Sequence, residues 1–347
     1  MPVVLAVLVV AVPVGGAVAA EGAPGTSSFT IEDPRITESS GLAASRAHPG
    51  VYWTHNDSDD GPYLYGVDSA TGRTVARITM TGVGDPRDVE AVSVGPDGAL
   101  YVGDIGDNRN GTWDHVWIYR LPEPKALGES TVRATQFTVR YADGPRDAEA
   151  LMVHPVTGRV YIASKSEDGA GLYEGPVELS AGRTNVFRRV GEVPWVTDGA
   201  FSPDGKELTL RGYFSADSYP WRDGRIAGEG RRLRAPFLWQ AESVAYSPDG
   251  STLMFGAEGK GSRVVALPVE RPEGGSGEGS GGDAAGQGSG SGAAREGSGG
   301  AAGSAGGAAA AGEGGDADFG KGALVLALGT ALVLGLRRLA RSVRRGG

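Results

Sequence analysis

Five stretches of this chain share one grammar, and that repetition limits its fold more than anything else in it. Residues 39–57, 89–108, 148–165, 197–213 and 241–259 each carry a polar, usually acidic residue in second place, followed by a small one. Each then runs through a short alternating strand, a turn, and a second strand rich in Tyr, Leu, Val and Ile. The turns are Pro96-Asp97-Gly98, Pro203-Asp204-Gly205 and Pro248-Asp249-Gly250, with His48-Pro49-Gly50 and His154-Pro155 to Gly158 in the same place. Proline presets φ, aspartate bonds the backbone and glycine accepts positive φ, so each stretch predicts a β-hairpin.

The equivalent positions Ser40, Glu90, Glu149, Asp198 and Glu242 follow one another at 50, 59, 49 and 44 residues. That is the length of a four-stranded propeller blade. Outer strands are legible at 63–70 and 74–80, at 116–122 and 134–141, and at 171–175 and 185–190. The fourth repeat is weaker there, with 216–222 and a basic run to Arg234. The last repeat supplies only 263–270, so 29–36 is expected to complete it from the other end of the domain. The sequence therefore predicts an all-β fold, a β-propeller of five blades with six as the alternative count, over residues 29–272.

FSPDGKELTL (201–210) and YSPDGSTLMF (246–255) resemble the WD40-like repeats of TolB-type propeller proteins. Two repeats carry the resemblance well and three loosely, and the Trp-Asp ending of true WD40 repeats is absent. The body is also similar to secreted actinobacterial propellers and, more distantly, to phytase-like esterase and calcium-dependent lactonase propellers. The resemblance implies an architecture and assigns no catalytic residue.

Outside the repeats the chain changes character. Residues 3–20 (VVLAVLVVAVPVGGAVAA) form an apolar run ending in small residues, the pattern of a signal peptide over 1–20 that lacks its positive start. Residues 273–319 are almost entirely Gly, Ser, Ala, Glu and Asp, and cannot offset the entropy of ordering. They are expected to be a disordered tether, with a root-mean-square span of roughly 35–40 Å. Residues 320–337 hold a short apolar run, expected to be a transmembrane helix, and the arginines of 338–347 place that tail in the cytoplasm. The expected protein is exported, and its C-terminal helix anchors it to the cell membrane with the propeller outside.

The formal charge is −9, and five arginines near the C-terminus leave about −14 for the rest. An acidic body excludes nucleic-acid binding, which needs a basic face. There is no cysteine, hence no disulfide, thiolate metal site or cysteine nucleophile.

In a propeller, equivalent positions converge around the axis. Glu90, Glu149, Asp198 and Glu242 then lie at one level, preceded by Glu38, Asp88, Asp147 and Gln240 in matching slots. Converging carboxylates must be neutralised. A Ca²⁺ ion would do so, as would protonation or pairing with Arg87, Arg146 or Lys165. A structural role, bonding the backbone of the neighbouring blade, is the alternative, and recurrence in every repeat is what such a role would produce. Asn56, Asp57, Asp104, Lys165 and Glu258 fall at the far ends of the second strands, where variation between repeats would build a ligand face. His55 is the candidate general base if the protein is a hydrolase. Two functions stay open: a monomeric binding or scaffold module for an extracellular protein, peptide or glycan, and a Ca²⁺-dependent hydrolase of esters, lactones or phosphate esters.

Overall fold

The computed structural model describes residues 23–270 except 59, 108–110 and 167–168. The expected signal peptide, tether, membrane helix and tail lie outside the described residues. Within them the protein is all-β, with no helix and none long and apolar enough to cross a membrane.

The chain begins with β1 (Phe29–Thr30). The first repeat forms β2 (Ala43–Ala44), β3 (Val51–Thr54), β4 (Tyr63–Asp68) and β5 (Thr74–Thr81). The second forms β6 (Val89–Val94), β7 (Ala99–Asp104), β8 (Val116–Pro122), β9 (Gly128–Arg133) and β10 (Thr135–Tyr141). The third forms β11 (Ala148–Val153), β12 (Val160–Ser164), β13 (Ala170–Glu174) and β14 (Asn185–Val193). The fourth forms β15 (Asp198–Phe201), β16 (Glu207–Arg211), β17 (Ala216–Arg222), β18 (Arg225–Ile226) and β19 (Arg231–Arg232). The last is β20 (Ala241–Tyr246), β21 (Thr252–Ala257) and β22 (Arg263–Pro268).

Each repeat becomes one antiparallel meander. The glycines of the hairpin turns sit at positive φ, from +69° at Gly158 and Gly250 to +84° at Gly50, as the turn chemistry requires. β1 closes the last meander by pairing with β22, Phe29 opposite Val264 and Thr30 opposite Arg263. Strand β9 was not legible in the sequence. It pairs in parallel with β5 of the preceding repeat. Its residues are largely exposed, and besides the backbone ladder it is held by Val132, which packs on the cluster between the first two repeats, and by Glu129, which pairs with Arg77 of β5 at 2.8 Å. A second parallel pair, β10 with β14, joins the second and third meanders into one eight-stranded sheet.

Side chains alternate across each strand, and successive residues face different neighbours. Leu151 and Val153 pack against the second repeat, while Ala150 and Met152 pack against the fourth. The apolar residues accordingly fall into separate clusters between repeats one and two, two and three, three and four, and four and five. A further cluster joins the last repeat to the first, with Ala245, Met254, Val264 and Phe29 against Leu42, Tyr52 and Tyr65. The meanders are thus packed face to face in a circle, the arrangement of a β-propeller. The innermost strands β2, β6, β11, β15 and β20 surround the axis. The Pro-Asp-Gly turns lie at one end, the turn face. The innermost strands begin at the opposite end, called the entrance face below.

Candidate functional site

The alignment of repeats holds in atomic detail at the entrance face. Asp57, Gly106, Lys165 and Glu258 each donate a backbone N–H to the carbonyl of the matching slot residue, Glu38, Asp88, Asp147 and Gln240, at 2.9, 3.2, 2.9 and 2.9 Å. One residue beyond those slots in the second, third and last repeats, the innermost strand slips register against its partner. The slips fall between Val89 and Ala91, Ala148 and Ala150, and Ala241 and Ser243. Glu90, Glu149 and Glu242 are therefore the extra residues of three equivalent β-bulges, a device that re-aims a side chain. The sequence located these acids but gave no sign of the bulges.

The four ring acids meet different surroundings. Glu149 pairs with Lys165, Oε1 to Nζ 2.7 Å. Asp198 is 2 % exposed and accepts from the Gly199 N–H at 2.7 Å and from the Val244 N–H of the next repeat at 2.8 Å. Burial pushes its carboxyl well above the usual range, against the lowering by these bonds and by Arg211. Glu242 lies beside the buried Arg211, whose guanidinium burial lowers to about 10 while Glu242 and Asp198 oppose the shift. Arg211 also donates to the Ser243 carbonyl, 3.0 Å. Glu90 has the opposite environment: donor oxygens of Asp57, Asp88 and Glu90 all lie within 4.8 Å of one another, and all three residues are buried. Backbone of Gly106 passes so close that a Cβ there would sit 2.5 Å from Asp88 Oδ2 and 2.6 Å from Glu90 Oε1. Arg87 and Arg146, considered above as partners for these acids, are used elsewhere. Arg87 is stacked between Trp113 and Trp117, 4.0 and 3.8 Å from the ring centroids, and Arg146 pairs with Asp143 at 2.8 Å and lies over Tyr173.

Several candidate ligand residues serve as framework. Asp104 is fully buried, and its carboxylate accepts from the Tyr119 hydroxyl at 2.6 Å and from the N–H groups of Arg87 and Asp88. Burial raises its carboxyl in spite of those donors. Asn56 ties down its own loop, with its carbonyl on the N–H groups of Thr37 and Glu38 and its amide on Arg35 and Asp60. Glu258 accepts from Gln240 at 2.9 Å and Ser40 at 3.4 Å. Glu123 is a connector that sequence reasoning missed. It takes the Trp53 indole N–H at 2.6 Å, the Ser45 hydroxyl at 2.5 Å and the Ala47 N–H at 3.1 Å, fastening the second repeat to the first.

His55 is 1 % exposed. Burial lowers it to about 4, so it is neutral at pH 7. The folded state binds its proton less tightly than the unfolded chain, whose value is about 6.5. The stability it contributes is complete above pH 6.5 and is lost as pH falls toward 4, about 3 kcal/mol in all. Urea midpoints of wild type and His55→Gln at pH 7.5 and 5.0 check this. Wild type should lose more between them, and parallel losses would refute it.

The same face carries an aromatic row, of which sequence reading missed Phe214 and Phe237. Trp195, Tyr213, Phe214 and Phe237 follow one another with ring centroids 5.4, 6.4 and 6.3 Å apart. Its inner end meets the axis, where the Lys165 ammonium lies 5.6 Å from the Tyr213 ring. Its outer end is open to solvent, with Phe214 51 % and Phe237 68 % exposed. These residues come from three separate connections, before β15, between β16 and β17, and before β20.

No family model and no curated protein matches the sequence. Among solved structures, the chain is similar to a PQQ-bound aldose sugar dehydrogenase from Streptomyces coelicolor. That match has 12 % identity and a TM-score of 0.43, and covers 71 % of this chain and all of that one. It is also similar to a hydrazine synthase of Kuenenia stuttgartiensis, at 14 % identity and TM-score 0.36, covering 62 % of this chain and 61 % of that one. A chain of a mitotic checkpoint complex matches at 15 % identity and TM-score 0.36, with 66 % and 61 % covered. Likenesses at this level assign neither a family nor an activity.

Proposed function

We propose that the protein is a binding module: a five-bladed, WD40-like propeller exported and tethered to the cell membrane, which recognises an extracellular ligand with its entrance face. The aromatic row carries this reading. Exposed phenyl rings stacked on each other contribute nothing to a core, and contiguous apolar surface of this kind marks interaction sites. The inter-repeat clusters, one for each pair of neighbours around the circle, support five blades over six. The test is full-length protein on peptide and glycan arrays, beside the double variant Phe214→Ser/Phe237→Ser. Wild type should retain a ligand that the variant loses, with unchanged thermal unfolding. A ligand held equally by both would refute the reading.

The second reading, a Ca²⁺-dependent hydrolase, is favoured by the buried group Asp57, Asp88 and Glu90. Three carboxylates within 4.8 Å repel unless protonated or bridged by a hard cation, which takes oxygen ligands of this kind. Bound there, Ca²⁺ would supply Lewis-acid polarisation of an ester or phosphate oxygen. A rise in thermal midpoint on adding Ca²⁺, together with Ca²⁺-dependent turnover of generic esters or phosphate esters, would install this reading in place of the first.

A further inference from the structure

We infer that Phe214, Phe237 and Trp239, with Arg231 and Arg234, form a docking surface for a protein partner that presents an acidic segment around an apolar anchor. This rests on the reading of the protein as a binding module and names the chemistry of its partner.

The surface is built by one segment crossing from the fourth repeat to the last. Residues 231–239 read RRLRAPFLW. Leu233, Ala235 and Leu238 turn inward and pack on the cluster between those repeats. Arg234, Phe237 and Trp239 are left exposed, as is Arg232, which pairs with Asp217, Nε to Oδ1 2.9 Å. The Leu233 N–H bonds the Ala216 carbonyl at 2.9 Å, which brings the segment alongside the loop holding Phe214. Phe237 then stacks on Phe214 at 6.3 Å and 20°. Trp239 is 61 % exposed, and the next residue, Gln240, is held at φ +52°. A non-glycine residue in the left-handed region is strained. The strained backbone leads directly into β20, so the indole is presented to solvent at a conformational cost.

Trp, aromatic rings and Arg are the residues that dominate protein–protein binding energy. Arg231 and Arg234, exposed and outside the Arg232–Asp217 pair, select sign: in a chain of net charge −9, positive charge on the segment that carries the exposed rings favours an acidic partner. A neutral glycan needs hydrogen-bond acceptors as well as donors around the rings, whereas the outward side chains of 231–239 are arginine, phenyl and indole, which accept none. A lipid surface is the alternative occupant that the vesicle competitor below tests.

The probe is a fluorescein-labelled random copolymer of glutamate and tyrosine, titrated against the full chain by anisotropy at low salt. Polygalacturonate and phosphatidylglycerol vesicles serve as competitors. Wild type should bind the copolymer in preference to both, and raising the salt should weaken binding. Phe237→Ser and Arg234→Glu should each weaken it at least tenfold. Arg222→Glu, an exposed arginine on β17 outside the patch, should leave it within twofold. Both patch residues are exposed, so unfolding midpoints should not move. Equal binding by the patch variants, or no binding of the copolymer, overturns the inference. Preference for polygalacturonate or vesicles also overturns it, yet leaves the binding-module reading in place with another ligand class.

Discussion

Removing residues 23–37 is expected to leave a chain that does not fold. The deletion takes away β1, the strand that closes the last meander against β22. It also takes away Phe29, Ile31 and Ile36, exposed by 9, 1 and 0 %. Burying three such side chains is worth about 1.5–3 kcal/mol each. The sum approaches the whole stability of an ordinary domain, about 5–15 kcal/mol. More is lost than area, because the cluster that joins the last repeat to the first loses its N-terminal members. A ring opened at one interface exposes two sheet faces and a strand edge together. Circular dichroism and thermal unfolding of the truncated chain check the expectation, and a cooperative transition near the wild-type midpoint would refute it. The same junction has a point-mutation test. A Cβ at Gly72, whose φ is +70°, would run into the Thr30 carbonyl, so Gly72→Val should mimic the deletion in milder form.

The second large effect is expected at Asp198, where alanine and asparagine should part company. Asp198→Ala leaves the N–H groups of Gly199 and Val244 buried without their acceptor. Each costs about 1–3 kcal/mol, so a loss of about 3 kcal/mol or more is expected. Asp198→Asn keeps the shape and a carbonyl acceptor, and should stay within about 1 kcal/mol of wild type at neutral pH. The two forms also differ in pH dependence. Burial raises the Asp198 carboxyl in the folded state, so folding takes up a proton more readily than the unfolded chain. The stability this provides is complete below about pH 3.9, the unfolded value. It is lost as pH rises through the folded value. Asp198→Asn should therefore flatten the decline of stability above pH 4. Denaturant midpoints from pH 4 to 8 measure both effects. An alanine variant as stable as wild type would show that the carboxylate does not bridge the repeats.

The candidate site was half legible. Local chemistry marked the repeated acids, because the same residue returned at the same place in each repeat. Their neutralisation was not legible, because it depends on which cation the neighbouring repeat brings across. Lys165 reaches Glu149, whereas Arg87 is claimed by two indoles. Asp57 was placed with a ligand face and instead joins Asp88 and Glu90, since the loops of adjacent repeats meet at the axis. Phe214 and Phe237 escaped notice because they lie in two connections with no shared pattern.

The sequence by itself determined the repeat, its turns, its strand pairs and the late return of β1. All of these rest on local rules: period-two alternation, Pro-Asp-Gly chemistry and the missing strand of the last repeat. Only the tertiary structure decided what surrounds each charge and which aromatic rings stay outside. Those outcomes are set by side chains from different repeats competing for the same partners across interfaces, and a linear pattern does not encode who reaches whom.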